Sequence, residues 1–279
     1  MRSRVWFITG ASRGLGREWA LAALDRGDRV AAAVRDISSL ATLRDVYGEA
    51  VEPIRLDVTD RAACFAAVRA AHDRFGRLDI VVNNAGYGQY GFIEELDEQQ
   101  ARAQLDTNFF GALWVTQAAL PYLRSQGSGH ILEVSSIGGI TAFPNLGIYH
   151  ASKWALEGMA QALAAEVAPF GIHVTIVEPG GFDTDWLAAA PQARTLADYA
   201  GRRAEFEAAR RARRDDLGDP AASRSAILAI VDAADPPLRV FLGRHALGYA
   251  KADYARRLAE WEQWQPLAEQ AHDGRPRPG

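Results

Sequence analysis

The chain has 279 residues, enough to bury a full core, and its 48% hydrophobic and 24% charged residues are those of a globular protein. A formal net charge of -4, with no basic run interleaved with aromatics, excludes a nucleic-acid binder, and no apolar stretch reaches the roughly 18–20 residues of a membrane span. One cysteine, Cys64, excludes an intrachain disulfide framework and a cysteine metal cluster; its apolar neighbours suit a buried spectator thiol.

Met1 to Arg4 leave no room for a signal peptide before the first strand pattern, so a soluble, cytoplasmic protein is expected. Short apolar, β-branched runs then alternate with longer helical patterns. They predict strands over 5–9, 29–34, 51–56, 80–82, 130–134, 173–177 and 239–241. Helices are predicted over 15–26, 38–47, 61–75, 98–123, 149–168 and 221–232. This alternation implies an α/β class: a doubly wound, parallel, seven-stranded Rossmann sheet with helices on both faces. The middle strands are nearly all apolar, as a sheet buried on both faces requires. No linker divides the chain, so 1–279 reads as one domain. Segment 184–220 reads as an insertion, mostly helical in pattern, and 244–279 as a C-terminal extension, with an aromatic-bearing helix region over 244–266 and a tail, 274–279, expected to be disordered. The arginines of 202–214 alternate with Glu205, Glu207 and Asp215, the pattern of a solvated helix face.

Thr9-Gly10-Ala11-Ser12-Arg13-Gly14-Leu15-Gly16 joins the first predicted strand to the first helix. Glycines there permit a tight turn and a close backbone approach to a pyrophosphate, which the free N–H groups of the helix start would receive. The spacing is Gly-x-x-x-Gly-x-Gly. In this turn, and over about 5–241, the chain resembles the short-chain dehydrogenase/reductase family in its single-domain form. The resemblance implies a nicotinamide dinucleotide held by Gly10, Ser12, Arg13, Gly14, Leu15 and Gly16. It also implies contacts from Asp57 and Val58 after the third strand, and from Asn84, Ala85 and Gly86 within Asn83-Asn84-Ala85-Gly86 after the fourth. Pro179, Gly180, Phe182 and Thr184 match the family's segment after strand six, with Thr184 at the nicotinamide carboxamide.

An acid at the end of the second strand would bind the ribose 2′-OH of NAD, whereas arginine accommodates a 2′-phosphate. The family's acid position falls at Val34, and Arg35 follows it. Arg13 is the second basic position. Two guanidiniums around one phosphate favour NADP(H). Asp36 stands against this: a shift of one residue would put its carboxylate at the 2′-oxygen.

Tyr149 and Lys153 lie four residues apart at a helix start, hence on one face. A cation beside a phenol favours the phenolate and lowers its pKa from about 10. The pair alone could be an ordinary surface couple. The resemblance makes Tyr149 the general acid and base, and Lys153 the cation that tunes it and binds the nicotinamide ribose. Ser136 precedes Tyr149 by the family's usual thirteen positions, so Ser136 rather than Ser135 orients the substrate. Asn108 matches the family's catalytic asparagine, which sits at a local helix break and links the lysine to solvent through water. The six histidines show no metal spacing, and His150 reads as a bystander.

Substrate shape is expected from Tyr87, Gln89 and Tyr90, from 138–143 including Phe143, and from the insertion with Trp186, Leu187, Tyr199 and Phe206. These side chains suit a medium-sized apolar ketone, aldehyde or alcohol; alternatively, some of them pack the insertion onto the sheet. The helices over 98–123 and 149–168 form the family's usual dimer face, implying a homodimer or homotetramer, although both could equally be core-facing. The expected activity is carbonyl–alcohol interconversion with NADP(H). The alternative is a non-catalytic NADP(H)-binding redox sensor.

Overall fold

A computed structural model describes residues 3–184 and 190–273. Seven parallel strands form one sheet: β1 (Val5–Thr9), β2 (Arg29–Val34), β3 (Val51–Arg55), β4 (Ile80–Asn83), β5 (Gly129–Val134), β6 (Ile172–Pro179) and β7 (Arg239–Leu242). Their spatial order is β3-β2-β1-β4-β5-β6-β7. β3 is an edge, which is why Pro53 can sit within it.

Alternate residues of β1 enter opposite cores. Val5 and Phe7 join one with residues of α3 (Arg61–Phe75), α5 (Gly111–Gln126) and α6 (Gly147–Val167). Trp6 and Ile8 join the other with residues of α1 (Gly14–Asp25), α2 (Ala41–Tyr47) and α8 (Ser223–Asp232). The period of two along the strand therefore builds the three-layer fold. Cys64 is buried in the first core, and its thiol is pushed up to about 12, mainly by that burial.

Two departures from the sequence pattern matter. The single helix expected over 98–123 is α4 (Glu98–Leu105), a π-helical turn (Asp106–Phe110) and then α5. The insertion carries one regular helix among its described residues, α7 (Ala200–Ala212). The C-terminal region is one long helix, α9 (Ala246–Asp273), with Pro266 inside it. The tail 274–279 lies outside the described residues. No helix among those described is long and apolar enough to cross a membrane.

Candidate active site

The chain leaves β1 towards one edge of the sheet and β4 towards the other, so a crevice opens between their carboxyl ends. Gly10 and Gly14 turn the chain there with φ of 67° and 55°, values side chains resist. Arg13, the residue before α1, makes no side-chain cap, which leaves the first N–H groups of that helix for a ligand. Gly16 serves packing: a Cβ would fall 2.3 Å from Asn84 Nδ2. The Asn84 amide donates to the Thr9 carbonyl at 2.9 Å, and Thr9 Oγ1 accepts from Asn84 N and Ala85 N, each at 3.0 Å. Thr9 was missed from sequence, although a hydroxyl ending the first strand is the signal that could have marked it.

A cavity of about 460 Å³ runs from this turn across the strand ends. Of the turn residues, Gly10, Ser12, Arg13, Gly14 and Leu15 line it; Gly16 does not. Arg35, Asp57 and Val58 line it after β2 and β3, and Asn84, Ala85, Gly86 and Tyr87 after β4. Ser136, Phe143, Tyr149, Lys153, Pro179, Gly180, Phe182 and Thr184 complete the other wall. These features fit a dinucleotide: glycines at the turn, an uncapped helix start and guanidiniums at the rim.

Asp36 is engaged locally. Its carboxylate accepts from Ser38 N at 3.0 Å and from the Ser38 hydroxyl at 2.8 Å. Those two bonds, the hydroxyl's foremost, hold it below the usual carboxylate value. Asp57 likewise accepts from the Thr59 N–H and hydroxyl while facing the cavity.

Tyr149 sits in the first turn of α6 and shares a side-chain hydrogen bond with Ser136, whose Oγ also accepts Gly138 N–H at 3.0 Å. The expected lowering of the phenol is not what the structure shows. Burial pushes Tyr149 up to about 12 against the opposing effect of Ser136, and Lys153 is not among the groups that set it. The Lys153 ammonium instead donates to the Val134 carbonyl at 2.7 Å. Burial pulls the lysine down to about 8, while Glu133 and Glu157 oppose that fall.

Asn108 lies in the π-helical turn and is buried. Its Oδ1 accepts Tyr87 N–H at 3.0 Å, and its Nδ2 donates to Tyr87 O at 2.9 Å and Ser152 Oγ at 3.1 Å. A Cβ on Gly86 would fall 3.1 Å from Asn108 Oδ1 and 3.6 Å from Lys153 Nζ, so that glycine packs closely against both. Asn108 thus fixes the loop that carries Tyr87.

His150 is no bystander. Its Nδ1 pairs with Gly138 O and its Nε2 accepts Phe143 N–H, both at 2.9 Å, so it braces the cavity wall over 138–143. Nothing in its sequence neighbourhood signals this. Glu133 was also missed. It is wholly buried on β5, accepts from Asn83 Nδ2 and Thr116 Oγ1 at 2.9 Å each, and is pushed up to about 7 by burial.

Tyr87 and Phe143 face the cavity, whereas several other expected substrate contacts hold the insertion in place. Tyr90 packs edge-on against Phe206, Tyr199 stacks on Phe92, and Gln89 bonds the Tyr90 and Pro191 carbonyls. Arg203 of α7 pairs with buried Glu95. Trp186 and Leu187 lie outside the described residues. Leu146, not anticipated, lines the cavity.

A family model described as short chain dehydrogenase matches residues 4–195. The oxidoreductase BOA17 of Botryotinia fuckeliana is 40% identical over 269 residues, spanning 95% of this chain and 98% of the relative. The crystal structure of a short-chain dehydrogenase from Streptomyces avermitilis is 37% identical with a TM-score of 0.89, covering 96% of this chain and 98% of that one. Another from Burkholderia cenocepacia, in complex with NADP, is 29% identical with a TM-score of 0.74, covering 94% and 97%. On its fold and on these likenesses, the chain is an oxidoreductase belonging to the short-chain dehydrogenase/reductase family.

Proposed function

We propose that this oxidoreductase depends on NADP(H) and interconverts a ketone or aldehyde with its alcohol, using Tyr149 as general acid and base. The observation that carries the reading is the hydrogen bond between the Tyr149 and Ser136 side chains at the cavity wall, one helical turn from buried Lys153. Two hydroxyls side by side can grip one carbonyl oxygen and meet the charge that develops on it. The cofactor, when bound, supplies the hydride. Burial keeps the Tyr149 phenol protonated, the form that reduction consumes. Lys153 brings an amine to the same helix face, where Glu133 and Glu157 favour its charged form against burial, and Asn108 holds the Tyr87 loop nearby.

Arg13 and Arg35 are exposed at the cavity rim, where they suit a 2′-phosphate, while Asp36 is turned onto Ser38. That supports NADP(H) over NAD(H). Tyr87 and Phe143 suit a medium-sized apolar substrate. We take 1–279 as one catalytic domain acting in the cytoplasm as a homodimer or homotetramer.

The test is a screen of ketones and aldehydes for NADPH consumption, with NADH alongside. Turnover with a clear NADPH preference is expected. Tight NADPH binding without turnover of any carbonyl would favour the redox-sensor alternative.

A further inference from the structure

The polar line on α6 does not end at the lysine. Tyr149, Lys153, Glu157 and Gln161 follow at four-residue spacing and so share one helix face. The first three are buried and Gln161 is exposed. Glu178 of β6 and Glu133 of β5 are wholly buried nearby. Arg239 of β7 closes the far end. Its Nε donates to Glu157 Oε2 at 3.2 Å and lies 3.5 Å from Glu178 Oε1, and its Nη2 donates to Gln161 Oε1 at 2.8 Å.

Glu157 and Glu178 are within hydrogen-bonding reach of each other. Yet neither Glu178 oxygen makes a hydrogen bond to a protein donor, whereas Glu157 has the Ser135 hydroxyl and Arg239. Two ionised carboxylates so placed would repel in a medium that screens poorly. One proton between them removes the repulsion and gives one Glu178 oxygen a hydrogen-bond partner in Glu157. Glu157 is the member acted on by both cations, Lys153 and Arg239, so it keeps the charge and Glu178 keeps the proton.

We propose that Glu157 and Glu178 are positioning residues: a carboxyl–carboxylate pair with its proton on Glu178, whose remaining charge on Glu157 holds Lys153 as an ammonium. The proposal rests on Lys153 serving the Tyr149 proton transfer. The titratable groups that act on Lys153 are Glu133 from β5 and Glu157 from its own helix, with Tyr149 one turn before it on that helix; the pair faces Lys153 and Arg239, with the Ser135 hydroxyl beside Glu157. Burial first, and the Glu157 charge after it, push Glu178 well above the ordinary carboxyl range. Glu178 therefore keeps its proton at a pH where an ordinary carboxyl has lost it.

Two variants and one spectrum test this. Glu157→Gln removes the negative charge beside the ammonium, so the alkaline limb of kcat/KM moves about one pH unit lower, roughly a fivefold loss at pH 8. Glu178→Gln imitates the protonated carboxyl and leaves the limb where it is. An infrared band of a protonated carboxylic acid at pH 7 should weaken in Glu178→Gln, a readout independent of turnover and of cofactor. A Glu157→Gln profile superimposed on the parent's, equal displacement by both variants, or an unchanged band would each overturn the pair. Substantial activity in Tyr149→Phe would instead overturn the catalytic reading and leave the infrared result standing.

Discussion

Asn83 Nδ2 donates to Glu133 Oε1 at 2.9 Å and so ties the neighbouring ends of β4 and β5 through a wholly buried acid. That acid makes stability depend on pH. Unfolded, Glu133 titrates near its ordinary 4.5; folded, burial raises it to about 7. Its contribution is therefore fully favourable below the first value and is lost as pH rises through the second. The loss is on the order of 3 kcal/mol. Glu133→Gln should be more stable than the parent at pH 8 by several degrees of Tm, with the gap closing at pH 5. Parallel Tm curves for the two proteins would contradict this.

In the proposed reaction, Tyr149→Phe would remove the proton that reduction needs and leave the cavity's shape intact. We expect kcat to fall by about 10² to 10⁴ while NADPH binding, followed by fluorescence or calorimetry, changes little. Ser136→Ala should lose part of that rate, because one of two donors to the carbonyl oxygen remains.

On the proposed NADP(H) dependence, Arg13→Ala and Arg35→Ala should each erode the preference for NADPH over NADH about tenfold or more, since each would remove a charge-assisted contact to the 2′-phosphate. The ratio of kcat/KM for the two cofactors measures this directly. Equal use of both by the parent would remove the basis for the arginine argument.

His150 must be neutral to do its work: the Gly138 carbonyl calls for N–H at Nδ1, and the Phe143 N–H calls for a lone pair at Nε2. Burial lowers its pKa, so its support is complete above about 6.5 and is lost as pH falls through the lowered folded value. His150→Ala should loosen the wall bearing Phe143, raising KM for the carbonyl substrate several-fold while the Kd for NADPH stays near the parent's.

The sheet was legible because its strands are short, apolar and evenly separated by amphipathic helices; each predicted strand lies within two residues of the observed one. The glycine turn was legible because backbone geometry, rather than side-chain packing, demands those residues. What escaped depends on contacts between distant segments. Glu133 looks like an interruption in an apolar strand until Asn83 and Thr116 stand beside it. His150 needs Gly138 and Phe143 to acquire a role. The sign of the Tyr149 shift was misread because helical spacing reports the neighbouring cation but not the depth of burial, and burial is the larger influence.

The π-helical turn at Asp106–Phe110 has a consequence for phase. One extra residue per turn rotates everything after it by about 100° about the helix axis relative to an unbroken α-helix. α4 contributes Gln104, whose Oε1 accepts Gln89 N–H, while α5 contributes Val115 and Ala119 to the core. Both ends present the right faces only because the surplus residue stands between them. Deleting a single residue there would mend the hydrogen-bond ladder and set the two halves out of step, so the core under the sheet and the loop beside Lys153 cannot be kept in register by a regular helix.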